Sequence, residues 1–184
     1  MKVLMLDAPE SLLAERRRLG LDVFDEMWDG VLHMVPPPGG PRQVFGTELL
    51  LVLGPLAKRR GLQPQYEAGL FRSAKDYRVP DQLYCRPEHR SARGAEGAEL
   101  VVEIRSPEDE TYDKVDFYAD LGVREMLIAH PAEHRVALLR AVDNRLLPVS
   151  ADATSAVRSE VLGASFATVG SWLRISWNDG SADI

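Results

Sequence analysis

Glu99-Leu100-Val101-Val102-Glu103-Ile104-Arg105-Ser106-Pro107 is the stretch that decides the fold. A short apolar run closed by polar residues and a proline reads as a strand with both faces covered. Pro107 then forces a turn. A carboxylate inside so apolar a strand has to lie exposed at one end, or be satisfied by a partner or a metal. Upstream, Val79 to Cys85 is a second strand pattern opened by Pro80-Asp81. Pro80 marks an edge or bulge position there. One polar, glycine-bearing loop, Glu88 to Gly97, separates the two strands. They are therefore expected as neighbours, with Asp81 and Glu103 able to converge on one divalent ion.

Working outward, Glu108 to Leu121 reads as a helix stopped by Gly122, and it carries Lys114 and Tyr118 on one face. Arg124–His130 and Arg135–Val142 form a hairpin around Pro131-Ala132-Glu133, and shorter strands follow near Leu146, Val161 and Leu173. In the other direction, Gln65–Phe71 is a strand before a Ser73–Asp76 turn. Gln43 to Arg60 is the longest helical pattern, ended by Gly61, and Gly54-Pro55 is expected to kink or split it. Pro36 to Gly40 is a loop. Asp29-Gly30 is a strong hairpin signal between Asp25–Trp28 and Val31–Val35. Asp7 and Glu10 resemble a capping box that opens a helix carrying Leu12, Leu13 and Leu19 and closed by Gly20. The element order is that of a mixed α/β domain, its sheet curved around or covering a long helix.

Composition narrows the function classes. The 184 residues fit one domain spanning 1–184, large enough to bury a core without staples. Cys85 is the only cysteine, which excludes an internal disulfide framework or a multi-cysteine zinc site and fits a reducing cytoplasm. Met1 to Leu6 is too short for a signal peptide, and no run reaches the roughly 18 apolar residues of a membrane span. A net charge of −6 argues against a protein that coats nucleic acid by bulk electrostatics. It is compatible with a nuclease, whose site is locally acidic. Arg16-Arg17-Arg18 and Lys58-Arg59-Arg60 fall near helix C-termini, where the dipole favours cations, with phosphate contact as the alternative. No phosphate-binding GxxxxGK[ST] loop or GxGxxG follows a strand. His33, His89, His130 and His134 lack metal-site spacing, and Cys85 reads as a small buried apolar residue.

What remains is Asp81, Glu103 and Lys114. Two carboxylates on neighbouring strands suit a hard cation, Mg²⁺ or Mn²⁺ rather than Zn²⁺. A nearby cation can orient water and steady charge developing on a phosphate. The bland alternative is two solvent-facing acids and a solvated lysine. Arg105, two residues after Glu103, and Tyr118, four after Lys114, are secondary candidates. Arg105 can bind phosphate but cannot act as a base.

Tyr77-Arg78-Val79-Pro80-Asp81, Glu99 to Pro107, and Glu110-Thr111-Tyr112-Asp113-Lys114 with Phe117 to Glu125 occur in that order. Together with Trp28-Asp29-Gly30 and Leu127 to Pro131, they resemble the Uma2 family, also called DUF820, over roughly residues 24 to 142. The resemblance implies the PD-(D/E)XK nuclease superfamily, with a restriction-endonuclease-like core: a central mixed β-sheet flanked by helices. It maps the metal ligands to Asp81 and Glu103. It also implies that the catalytic lysine has moved from the strand to the following helix, at Lys114. Arg105, Met126 and His130 depart from the family pattern without touching the ligands. The implied activity is a Mg²⁺- or Mn²⁺-dependent endonuclease acting on nucleic acid, DNA before RNA. Separately, because nucleases of this size commonly pair so that each site cuts one strand, a homodimer is expected, with apolar faces near Trp28 or near Trp172 and Trp177 as candidate contacts. The alternative is a catalytically silent module that keeps the nuclease fold for binding.

Overall fold

The structure, a computed structural model, describes residues 3–36, 39–106 and 110–184. The chain opens with β1 (Val3–Leu6), α1 (Glu10–Arg18) and the hairpin β2 (Glu26–Trp28) and β3 (Val31–Met34). The long helix α2 (Gly40–Lys58) leads to β4 (Gln63–Tyr66), β5 (Gly69–Ser73), β6 (Asp76–Arg78) and β7 (Gln82–Cys85). Two short strands, β8 (Arg90–Ser91) and β9 (Gly94–Ala95), precede β10 (Leu100–Ile104). A 3-10 turn, Thr111–Lys114, runs into α3 (Val115–Asp120) and then β11 (Glu125–His130), β12 (Arg135–Val142) and β13 (Arg145–Pro148). The chain ends in β14 (Val157–Ser159), β15 (Ala164–Val169), β16 (Trp172–Trp177) and β17 (Gly180–Asp183).

The central sheet has the order β13-β12-β11-β10-β7-β4. It is mixed: β10 and β11 are parallel, joined through α3, while β7 and β12 run antiparallel to their neighbours. A sheet of order β1-β3-β2-β6-β5-β9-β8 and a four-stranded C-terminal meander accompany it. The expected α/β architecture with a central mixed sheet is thus present. Alternate residues of β10 explain why its sequence is apolar throughout. Leu100, Val102 and Ile104 pack under Leu49 and Leu53 of α2 and Phe166 and Ile175 of the meander. Val101 faces the other way, toward Phe117 and Tyr118 of α3.

Several sequence expectations change. The Gln65–Phe71 strand divides at Glu67, whose φ is +48, so that β4 enters the central sheet and β5 the first. The Val79–Cys85 strand begins later than expected, at Gln82: Pro80 has no N–H for a ladder, and Val79 to Asp81 link β6, in the first sheet, to β7, in the central one. Asp7 is no helix cap; its φ is +51, it follows the unforeseen strand β1, and Pro9 holds the N-cap position. α2 is not split at Pro55, because Leu53 and Leu56 on either side are buried in one core and that packing outweighs a lost hydrogen bond. The helix expected from Glu108 begins as the 3-10 turn at Thr111. Pro37, Pro38, Pro107 and Glu108 lie outside the described residues.

Candidate active site

β7 and β10 pair antiparallel with Gln82 opposite Val102. Asp81 and Glu103 are the next residue on each chain, and Glu103 lies on the face that Tyr118 of α3 covers. Both are buried. Tyr118, from α3, donates its phenol to Glu103 Oε1 at 2.5 Å. Lys114, one turn earlier, donates to the same oxygen at 3.2 Å and to Glu26 Oε1 at 2.8 Å. Glu26 comes from β2 in the neighbouring sheet and also accepts the Trp28 indole N–H at 2.8 Å and the Val79 amide at 2.9 Å. One ammonium therefore bridges two buried acids carried by two different sheets.

Asp81 is held differently. Its Oδ2 accepts the Ile104 amide at 2.7 Å. Arg42, from the first turn of α2, donates Nη2 to both carboxylate oxygens at 2.8 Å and Nη1 to the Ser106 hydroxyl at 3.0 Å. Gly46 makes this approach possible. A Cβ there would come within 2.9 Å of both Ile104 Cδ1 and the Tyr66 hydroxyl, so with any other residue those side-chain ends would have to give way for α2 to lie this close to the end of β10. Gln82 fixes the seating by donating to the Gly46 carbonyl at 2.8 Å.

The electrostatics follow from this burial. Desolvation, with repulsion from Asp81 and Glu26, pushes the Glu103 carboxyl up to about 7 against the pull of Lys114 and Tyr118. Burial would lower Lys114, yet Glu103 and Glu26 outweigh it and hold its pKa above the ordinary lysine value. Burial would likewise raise Glu26, and Lys114 with the Val79 and Trp28 donors brings it below the usual carboxylate range. Burial first, and then Glu103, raises Tyr118 well above a normal phenol.

A family model described as "Putative restriction endonuclease", Uma2, matches residues 17–170. The chain belongs to the Uma2 family. A crystal structure titled as that of a "putative nuclease belonging to DUF820" from Anabaena variabilis ATCC 29413 shares its fold. The TM-score is 0.60 at 17% identity, over 75% of this chain and 82% of that one. No curated protein matches.

Three sequence-based candidates of this Uma2 chain touch, Glu103, Lys114 and Tyr118, and the Asp81 charge acts on Glu103 and Lys114. Arg105 differs. Its guanidinium lies over the Tyr112 ring, 5.3 Å from the centroid, and the cation on Glu103 is Lys114. Two participants were missed. Glu26 carried a faint signal, an acid sharing a strand face with Trp28 beside the hairpin. Arg42 carried a better one, a cation in a first helical turn, where the dipole opposes it. Cys85 is buried, and desolvation raises its thiol, as an apolar role requires. Among the described residues, no helix is long and apolar enough to cross a membrane.

The donor set suits a hard divalent ion: two carboxylates on paired strands, with a third nearby through Lys114. Among the described residues, no group of three or more His, Cys, Asp or Glu could hold a metal.

Proposed function

We propose that this Uma2 protein is a metal-dependent endonuclease that hydrolyses phosphodiester bonds of nucleic acid, DNA before RNA. The observation that carries the reading is Lys114. Its ammonium is buried between Glu26 and Glu103, where a surface lysine would point to solvent. Asp81 and Glu103 would hold Mg²⁺ or Mn²⁺, which when bound supplies Lewis-acid activation of water. Lys114 keeps its proton, because two carboxylates raise its pKa. It therefore acts as a fixed positive charge that stabilises the phosphorane and orients the incoming water, rather than as a base. Tyr118 and Glu26 position it: the phenol fixes Glu103, and Glu26 anchors the ammonium from the other side.

Cleavage of duplex and single-stranded DNA and RNA, with and without chelator, tests the reading. Wild-type cleavage should depend on Mg²⁺ or Mn²⁺ and disappear in Asp81→Asn at unchanged circular dichroism. A specific observation favours the second reading, a silent binding module: both oxygens of Asp81 are already engaged by Arg42. Nucleic-acid binding without turnover in any metal would select it. We further propose a homodimer in a reducing compartment, in line with Cys85 as a lone buried thiol and with Trp172 at 55% exposure.

A further inference from the structure

In the basic run that ends α2, Arg59 pairs with Asp179 at 3.1 Å and Arg60 donates to the Glu160 carbonyl at 3.1 Å. Lys58 is placed differently. It lines a groove of about 590 Å³ together with residues 61–65, Pro87 and Arg90. Among the described residues no carboxylate lines this groove, and neither Lys58 nor Arg90 is held in an ion pair. The dipole of α2 accounts for Lys58, the last residue of that helix. It does not account for Arg90, which comes from β8 in the other sheet. Two exposed cations from separate elements thus share one cleft in a chain of net charge −6. Leu62, Pro64 and Pro87 give that cleft apolar walls, which focus the field of the charges beside them.

One side of the groove is β4, the free edge of the central sheet. A free edge offers its outer backbone groups to a partner strand. Pro64 lacks an N–H on this edge, so a polypeptide cannot complete a ladder there. Cations without acids and an edge closed to peptides suit an anionic polymer. We propose that the β4 groove carries the phosphodiester backbone of nucleic acid on its way from the Asp81–Glu103 site, with Lys58 and Arg90 as phosphate contacts. The strand itself joins the two places. Tyr66 pairs with Gln82, the neighbour of Asp81, and Gln63 pairs with Cys85 toward Lys58. The three steps from Tyr66 to Gln63 span about 10 Å, which is roughly three nucleotides at the 3.4 Å rise of one strand. Contacts to phosphate fix position and carry no sequence information, so the groove holds the substrate in place without selecting a target sequence. This inference rests on the nucleic-acid reading above and adds a surface outside its catalytic residues.

The test is binding of a labelled single-stranded oligonucleotide, and of the matching duplex, by the full chain in chelator. Fluorescence anisotropy across a salt series compares wild type with Lys58→Gln, Arg90→Gln, the double variant and Lys75→Gln. Lys75 is the control: it is exposed on the turn between β5 and β6, outside the groove, and its loss removes the same charge. Each groove variant should bind on the order of fivefold more weakly, whatever the sequence of the oligonucleotide. The double variant should lower the salt slope by about 1.4 on a single strand or about 1.8 on a duplex, as two phosphate contacts are lost; the form that shows its full drop is the one the groove holds. Lys75→Gln should bind like wild type. All these positions are exposed, so circular dichroism should not change. If the double variant binds both forms like wild type while wild type cleaves, the groove is wrong and the endonuclease reading stands. An equal loss in Lys75→Gln would also overturn the groove, since bulk charge alone would then explain it. If the groove variants lose binding but wild type cleaves nothing in Mg²⁺ or Mn²⁺, the groove stands and the endonuclease reading falls. If wild type binds neither form, both fall.

Discussion

Replacing Lys114 by alanine should destabilise the protein as well as silence it. The change strips the shared cation from Glu26 and Glu103, whose side chains are only 4% and 3% exposed. Removing one partner of a buried ion pair costs about 3–5 kcal/mol, because the other charge is left uncompensated. Two features pull the figure toward the lower end. Glu103, already pushed up to about 7, can take a proton near neutral pH instead of staying charged. Glu26 keeps the Trp28 and Val79 donors. The expected loss is therefore about 3 kcal/mol at pH 7, read as a lower urea midpoint at unchanged slope. The deficit should shrink toward pH 5, as the stranded carboxyls protonate more easily in the variant than in wild type. Adding Glu26→Gln to Lys114→Ala should restore on the order of 1 kcal/mol, since the two side chains are coupled. Turnover of the folded fraction should fall by on the order of 10²-fold, the usual cost of losing a transition-state donor. A Lys114→Ala midpoint equal to wild type would return Lys114 to the status of a solvated helix lysine.

Gly46→Ala gains about 1 kcal/mol of helix propensity but drives a methyl to 2.9 Å from Ile104 and Tyr66. Overpacking costs about 1–3 kcal/mol, so the melting temperature should fall; a rise would show that α2 is not tightly seated. Glu26, held below its ordinary range, contributes stability above the unfolded-state value near 4.5 that is lost as pH falls through its lowered value, because the unfolded chain then binds more protons. Glu26→Gln should accordingly flatten the acid limb of the stability profile, and an unaltered limb would contradict the assignment. Light scattering should report about twice the 20.5 kDa chain mass, and a monomer at high concentration would remove the proposed dimer.

The parts of the fold that sequence reading recovered are the local ones. Asp29-Gly30 turns the β2–β3 hairpin with both residues at positive φ, and Pro131 to Glu133 joins β11 to β12. β10 was readable because a strand buried on two faces has nowhere to place polar residues except at a site. What was missed depends on distant partners. Whether Leu70 joins the sheet of Leu83 or another is decided at Glu67 and Pro80, by backbone breaks that no hydrophobic period records. Glu26 meets Lys114 across 88 positions and Arg42 meets Asp81 across 39. Their local sequence signals do not name those partners, which only the sheets bring to them. Lys114, the preferred cation in the sequence, reaches Glu103 from the helix after the strand, while Arg105, the secondary candidate, lies over the Tyr112 ring.

The central claim is that Asp81 and Glu103 form one metal-dependent cleavage site with Lys114. The most direct measurement is cleavage of a labelled duplex by freshly purified wild type, Asp81→Asn and Glu103→Gln, each with Mg²⁺, with Mn²⁺ and with chelator. The account predicts cleavage by wild type in either metal, none with chelator, and none by either variant, all three proteins showing the same circular dichroism. Cleavage that persists in both variants would contradict it.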